Sequence, residues 1–202
     1  MSIVRAATWS LSVLLRGMPP VDFELYVSEK WLDPCQVKIA LPALQRLIHA
    51  TDEDVLTDTC WTLAYLSEGH MDNIQAIIEL GVCPKLVQLL QYPSDGVILP
   101  ALLALGNIAV CGGAHTQILP SSNSIATKKT QLLIDNQLLP CLRQLLEREY
   151  TRFIFKEASW IIAFITSGTP AHVQVRKANG SPSPYVFSRK NQCPVKKVDR
   201  RV

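Results

Sequence analysis

Apolar residues recur along this chain at helical spacing. Leu41, Leu44, Leu47 and Ile48 fall at i, i+3, i+6 and i+7, and Val82, Leu86, Leu89 and Leu90 repeat the stripe one unit later. Such a stripe predicts amphipathic helices that bury one face, since strands would alternate polar and apolar positions. The pattern also repeats over a longer range. VKIALPALQRLIHATDEDVLTDTCWTLAYLSEG, LGVCPKLVQLLQYPSDGVILPALLALGNIAVCGG and DNQLLPCLRQLLEREYTRFIFKEASWIIAFITSG each read as a Pro-started amphipathic helix, a short polar turn and a longer helix ending at Gly. Pro42, Pro84 and Pro140 suit a first helical turn, where the missing N–H is not needed. Gly69, Gly112 and Gly168 suit left-handed caps.

Pro42 and Pro84 lie 42 residues apart, as do Trp61 and its equivalent Leu103, inside the roughly 40 to 47 residues of armadillo or HEAT units. The fold class predicted is all-α, an α-solenoid of about four units whose long helices begin near Ala6, Asp54, Val97 and Phe153. Two spacings are longer. Pro84 to Pro140 spans 56 residues, with the surplus at PSSNSIATKK (120–129), and Trp9 to Trp61 spans 52, with the surplus in VDFELYVSEKWLDPC (21–35). The domain organisation expected is a partial repeat array over residues 1–177, with insertions near 21–35 and 117–130, followed by a disordered basic tail at 178–202. The first unit is the end of a repeat, so Trp9, Leu11, Val13, Leu14 and Leu15 are expected at an uncapped end of the stack.

Composition narrows the function classes. The 202 residues are 48% hydrophobic and 18% charged, enough apolar material for one sizeable core or array. No apolar run reaches a membrane span, and MSIVRAATWSLSVLLRG lacks the h-region and cleavage site of a secretory signal, so a soluble intracellular protein with no membrane partner is expected. Cys35, Cys60, Cys83, Cys111, Cys141 and Cys193 form no C-x-x-C pair and have no His at ligand spacing; they read as reduced thiols, the first five as small core residues. His49, His70, His115 and His172 are isolated, and no nucleophile elbow, P-loop, dinucleotide fingerprint or H-E-x-x-H is present. No catalytic residue, metal or cofactor is therefore expected. The net charge of +3 is uneven, because residues 176–202 hold eight Lys or Arg against Asp199 alone. The remaining body is mildly acidic, which suits a basic partner and argues against nucleic-acid binding.

One feature exceeds what packing requires: the long helices keep a Trp at one place, Trp9, Trp61 and Trp160. A Trp at i shares its face with i−3 and i+4, so one face reads Asp58, Trp61, Tyr65 and another Glu157, Trp160, Phe164. Stacked helices would join these faces into a groove with aromatic walls and an acidic rim. Indole faces hold the stem and charge of Lys, and carboxylates meet its ammonium. An extended peptide advancing about 3.3 Å per residue would meet successive units every two to three residues.

The stretches ATWSLSVLLRG, LPALQRLIHATDEDVLTDTCWTLAYLSEG, IQAIIELGVCPKLVQLL, PALLALGNIAV, DNQLLPCLRQLL and KEASWIIAFITSG resemble the importin-α family of armadillo-repeat proteins. The resemblance covers about residues 6–175, is strongest over 41–90 and falls in the family's middle and later repeats. It implies a right-handed superhelix of three-helix repeats, and a receptor that binds basic nuclear localisation signals and hands cargo to importin-β, between cytoplasm and nucleus. In the family, Trp and Asn one turn apart on the third helix form the groove, the Asn carboxamide pairing with the peptide backbone. Trp9 matches, with Val13 at its Asn position. Trp61 with Tyr65 resembles the family's own Trp/Tyr variant. Asn107 matches, with Leu103 where the family has Arg, and Trp160 matches with Phe164 in place of Asn. Asp58 and Glu157 stand where family carboxylates meet cargo Lys or Arg, and Arg16 matches a groove-lining Arg. The peptide-binding residues the resemblance implies are thus Trp9, Arg16, Asp58, Trp61, Tyr65, Asn107, Glu157 and Trp160.

The departures imply a weakened cargo site, since each lost backbone-directed hydrogen bond is worth about 0.5–1.5 kcal/mol. No basic importin-β-binding segment precedes the first repeat, so a truncated or diverged, monomeric member that does not bind importin-β directly is expected. The competing expectation is an armadillo-type interaction scaffold, or a truncated remnant, without signal binding. The cluster K-K-x-x-R-R at Lys196, Lys197, Arg200 and Arg201 would itself suit the groove, in cis or as a signal.

Overall fold

A computed structural model describes residues 2–15, 34–68, 71–110, 125–148 and 150–167. Among these residues there are nine α-helices and no strand: α1 (Ile3–Leu15), α2 (Pro34–Leu47), α3 (Glu53–Glu68), α4 (Met71–Glu79), α5 (Cys83–Leu89), α6 (Asp95–Val110), α7 (Ile125–Asp135), α8 (Leu138–Glu147) and α9 (Arg152–Ser167). The four long helices α1, α3, α6 and α9 begin where the repeat period puts them. They form a ladder in which α1 packs on α3, α3 on α6 and α6 on α9. Other helices back this ladder, α5 against α6, α8 against α9 and α2 against α3. One apolar cluster runs continuously from Leu41 in α2 to Ile165 in α9. The molecule is therefore an α-solenoid, with α4–α5–α6 and α7–α8–α9 as three-helix units.

Local chemistry accounts for the helix ends. Asp52 caps α3, its Oδ1 accepting from the backbone N–H groups of Asp54 at 3.1 Å and Val55 at 3.2 Å, the second and third residues of the helix. Gly81, at φ +74°, ends the α4 segment in the left-handed region that a side chain disfavours. Buried hydroxyls of the long helices bond back to their own carbonyls: Thr59 to Val55 at 2.6 Å, Thr62 to Asp58 at 2.7 Å, Ser67 to Ala64 at 2.8 Å. Small polar residues thus pack between helices with their hydrogen bonds made inside one helix.

Three local expectations change. Pro84 and Pro140 do sit in the first turns of α5 and α8, but Pro42 lies inside α2, which starts at Pro34. Pro42 and Lys38, whose carbonyl loses its i+4 donor there, are both exposed, so water can take the missing bond. Residues 125–130, counted above with the polar insertion, open α7, where Lys129 and Thr130 are buried and Thr130 Oγ1 donates to the Ala109 carbonyl at 3.3 Å. Gly69, Gly112, Gly168, the stretch 21–33 and the basic tail at 178–202 lie outside the described residues.

Candidate functional site: the outward row of the long helices

Burial around the two central long helices, α3 and α6, leaves one narrow stripe of each facing solvent. In α3 every residue from 55 to 67 is buried except Thr57, Asp58, Trp61 and Tyr65. In α6 every residue from 97 to 110 is buried except Leu99, Leu103 and Asn107. The four-residue step is the helical repeat seen from one side. In α9 the half-buried set includes Lys156, Glu157, Trp160 and Phe164, and α1 adds Trp9, 50% exposed, and Val13. Trp9 on α1, Trp61 on α3, Leu103 on α6 and Trp160 on α9 thus each lie on a solvent-facing part of a ladder helix.

Within two of these stripes the aromatic rings are paired. Trp61 and Tyr65 stack with centroids 5.5 Å apart and planes at 21°; Trp160 and Phe164 stack at 6.1 Å and 28°. Residues i and i+4 meet on a helix surface, and offset ring pairs of this kind hold each other in place. Each pair therefore offers a preorganised apolar wall. Beside the first stands Asp58, one turn back on α3, and beside the second Glu157, one turn back on α9. Helix α3 also carries Glu53, Asp54 and Glu68 and no basic residue, which makes it the most acidic rung.

Asn107 ties the rungs together. Its Nδ2 donates to the Ala64 carbonyl and to Ser67 Oγ, both at 3.2 Å, so the N–H end of its carboxamide holds α6 to the C-terminal half of α3. On the other side, α6 and α9 meet at Gly106. A Cβ there would lie 3.2 Å from Ile161 Cδ1 and 3.7 Å from Trp160 Cζ3. Glycine is what lets Ile161 approach α6 this closely, while the Trp160 ring lies at ordinary contact distance from the same position.

At the N-terminal edge Arg5 of α1 forms a clamp onto α3. Its Nε and one terminal nitrogen reach Asp52 Oδ2 at 2.8 and 2.7 Å, and the other terminal nitrogen reaches Asp54 Oδ2 at 2.7 Å. The Arg5 hydrogen bond, helped by the Val55 and Asp54 N–H groups and the Arg5 charge, holds the Asp52 carboxyl below its ordinary value. Behind the stripe, burial pushes the Cys60 thiol up to about 12 and Cys83 to about 11. Cys60, Cys83 and Cys141 are free and buried, packed as small apolar groups. Cys111 and Cys193, and the side chain of Cys35, lie outside the described residues. No group of three His, Cys, Asp or Glu among the described residues could hold a metal ion, and no helix among them is long and apolar enough to cross a membrane.

Seven of the eight residues singled out in the sequence lie at exposed or half-buried positions of the four ladder helices: Trp9, Asp58, Trp61, Tyr65, Asn107, Glu157 and Trp160. Arg16 lies outside the described residues. The sequence reading missed Leu99, which extends the Leu103 stripe, and the Arg5 clamp. The cap signature of Asp52 before α3 was a usable signal for half of that clamp; its partner, 47 residues away, left none.

Comparison with known proteins agrees with this architecture. The family model for the Armadillo/beta-catenin-like repeat matches residues 70–110, which hold α4, α5 and α6. Importin subunit alpha-1a of Oryza sativa subsp. japonica is 45% identical over 186 residues, covering 92% of this chain and 31% of that protein. Importin subunit alpha-3 of Arabidopsis thaliana is 44% identical over 160 residues, covering 79% of this chain and 25% of that protein. The chain thus spans a third or less of the length of these relatives. Among solved structures, a designed armadillo repeat protein in complex with peptide (KR)4 superposes with a TM-score of 0.66 at 27% identity, over 88% of this chain and 64% of that one. Computationally designed armadillo repeat proteins for modular peptide recognition share the fold at a TM-score of 0.63 and 23% identity, over 88% and 82% of the two chains. Stacked three-helix units, a matching repeat model and identity above 40% to importin subunits alpha along most of its length converge: the chain belongs to the importin-α family of armadillo-repeat proteins.

Proposed function

We propose that the row formed by α1, α3, α6 and α9 binds an extended basic peptide of the nuclear-localisation type, and that the protein serves as an import adaptor in cytoplasm and nucleus. The observation that carries this reading is the pair of stacked aromatic walls, Trp61–Tyr65 and Trp160–Phe164, each with a carboxylate one turn away. A Lys stem lying on an indole face gains apolar and cation–π contact worth about 0.5–2 kcal/mol, and the neighbouring carboxylate selects the cation over an aliphatic chain. The designed armadillo neighbour that carries peptide (KR)4 supports the same ligand chemistry. Direct binding of importin-β is not part of the proposal.

The test is fluorescence anisotropy of a labelled Lys-rich peptide. Trp61→Ala and Trp160→Ala should each weaken binding about 3- to 30-fold, with helical circular dichroism retained. Equal affinity in wild type and both variants would defeat the groove. A second reading, an interaction scaffold without signal binding, is favoured by one observation: the Asn107 N–H end is engaged with α3, while Val13 and Phe164 occupy the other Asn positions. It predicts captured partners that a basic peptide does not displace.

A further inference from the structure

Between the two aromatic walls the chemistry of the row changes. Of all residues in α6 only Asp95, at its start, is ionisable; from residue 96 to 110 there is no charge. Its outward stripe is Leu99, then Leu103, then Asn107, and both leucines lie half-buried against the core. Leu103 stands at the ladder position that Trp61 and Trp160 hold on either side. Through Gly106 the Trp160 ring borders it, and through Asn107 the end of α3 that carries Tyr65 borders it as well. The middle rung is thus an uncharged aliphatic surface between an acidic, aromatic one on α3 and an aromatic one on α9 that carries Lys156 and Glu157.

From this we infer that the row selects a peptide of basic–apolar–basic pattern, with an aliphatic side chain seated on Leu99 and Leu103 of α6. The inference rests on the proposed peptide-binding function and deepens it. A ligand side chain over α6 loses water on one side and meets no charge of α6 after Asp95. An aliphatic group gains from that contact, whereas a carboxylate or ammonium is partly desolvated without a partner on that rung. Neighbouring helix axes lie about 8–10 Å apart, so α3 and α9 are separated by about 20 Å, or about six residues of extended chain at roughly 3.3 Å each. The selected position therefore lies about midway between the two basic anchors.

The experiment uses three labelled peptides, Lys-Lys-Ala-Ser-X-Ser-Ala-Lys-Lys with X as Leu, Ser or Asp, titrated against the full chain. Wild type should bind the Leu peptide about five- to tenfold more tightly than the Asp peptide, with Ser between. Leu103→Arg, checked for retained helical circular dichroism, should reverse the order of Leu and Asp. Leu99→Ser, a milder change at the stripe's first position, should reduce the Leu preference by about half. If all three peptides bind wild type with equal affinity, the inference fails while the basic-peptide reading stands. If none binds, both fail together.

Discussion

Helices α1 and α6 are both rich in apolar residues, yet their surroundings differ completely. Eleven of the 16 residues of α6 are buried, whereas among the described side chains of α1 the buried ones are Thr8 and Ser12, and Ile3 and Leu14 stand 89% and 73% exposed. The cause is the number of neighbours. Among the described residues, α6 has α3 on one side, α9 on the other and α5 and α7 behind it, whereas the main neighbour of α1 is α3. In a stacked-helix array the core is made by contact between units, so an apolar residue is a core residue only where a rung exists on its side.

The sharpest test of that contrast compares equal truncations in the two helices. Leu105→Ala, at a position with no exposed surface, should cost about 2–5 kcal/mol through lost burial and an unfilled cavity. Leu14→Ala should stay within about 0.5 kcal/mol. Urea unfolding followed by far-ultraviolet circular dichroism reads both. If the two cost the same, α1 is covered in solution, and the contrast describes the isolated chain alone.

A middle-sized effect probes how α6 meets α9. Gly106→Val would place methyl groups where Ile161 and Trp160 already lie, the Cβ alone being 3.2 Å from Ile161 Cδ1. Overpacking of this kind costs about 1–3 kcal/mol, and adding Ile161→Ala should recover part of it, because the second change makes room for the first. The same double variant should disturb the Trp160–Phe164 stack and so weaken basic-peptide binding more than Leu14→Ala does. Additive costs with no recovery would mean that the close approach at Gly106 is relieved by a shift of the whole helix.

These particulars also show what could be read from the chain. The long helices, their order and the tryptophan row were legible because helical period and a 42-residue repeat are local or evenly spaced signals. The α7 start was not, since SNSIATKK looks polar and its buried members, Lys129 and Thr130, are buried by the neighbours they meet. Pro42 misled for the converse reason: it marks a helix start by statistics, and here the helix runs through it on the exposed side. At the site, the face shared by Asp58, Trp61 and Tyr65 follows from spacing within one helix. The bonds from Asn107 to Ala64 and Ser67 could not be foreseen, because they join residues 43 and 40 positions apart through the stacking geometry itself.

The smallest effect concerns how the end rung is held. Exposed ion pairs contribute little to a fold as a whole, but among the described residues α1 is held mainly by α3, so a small term there is more visible than in the packed interior of the array. Asp52 joins two jobs: it caps α3 through Oδ1 and takes Arg5 through Oδ2. Its pKa in the folded protein lies below its ordinary value, so its contribution is complete above about pH 4 and is lost as pH falls through the depressed value. The Arg5 pKa is shifted upward, so that end of the pair is fully charged throughout the working range. Amide exchange of α1, expressed as protection relative to intrinsic rates, should therefore fall as pH is lowered below about 4 and through the depressed value. Asp52→Asn keeps a cap acceptor of similar quality and removes the charge, so at pH 6 its α1 protection should lie below that of wild type. Equal protection in wild type and Asp52→Asn at pH 6 would mean that packing of α1 against α3, and not the Arg5 clamp, keeps α1 in place.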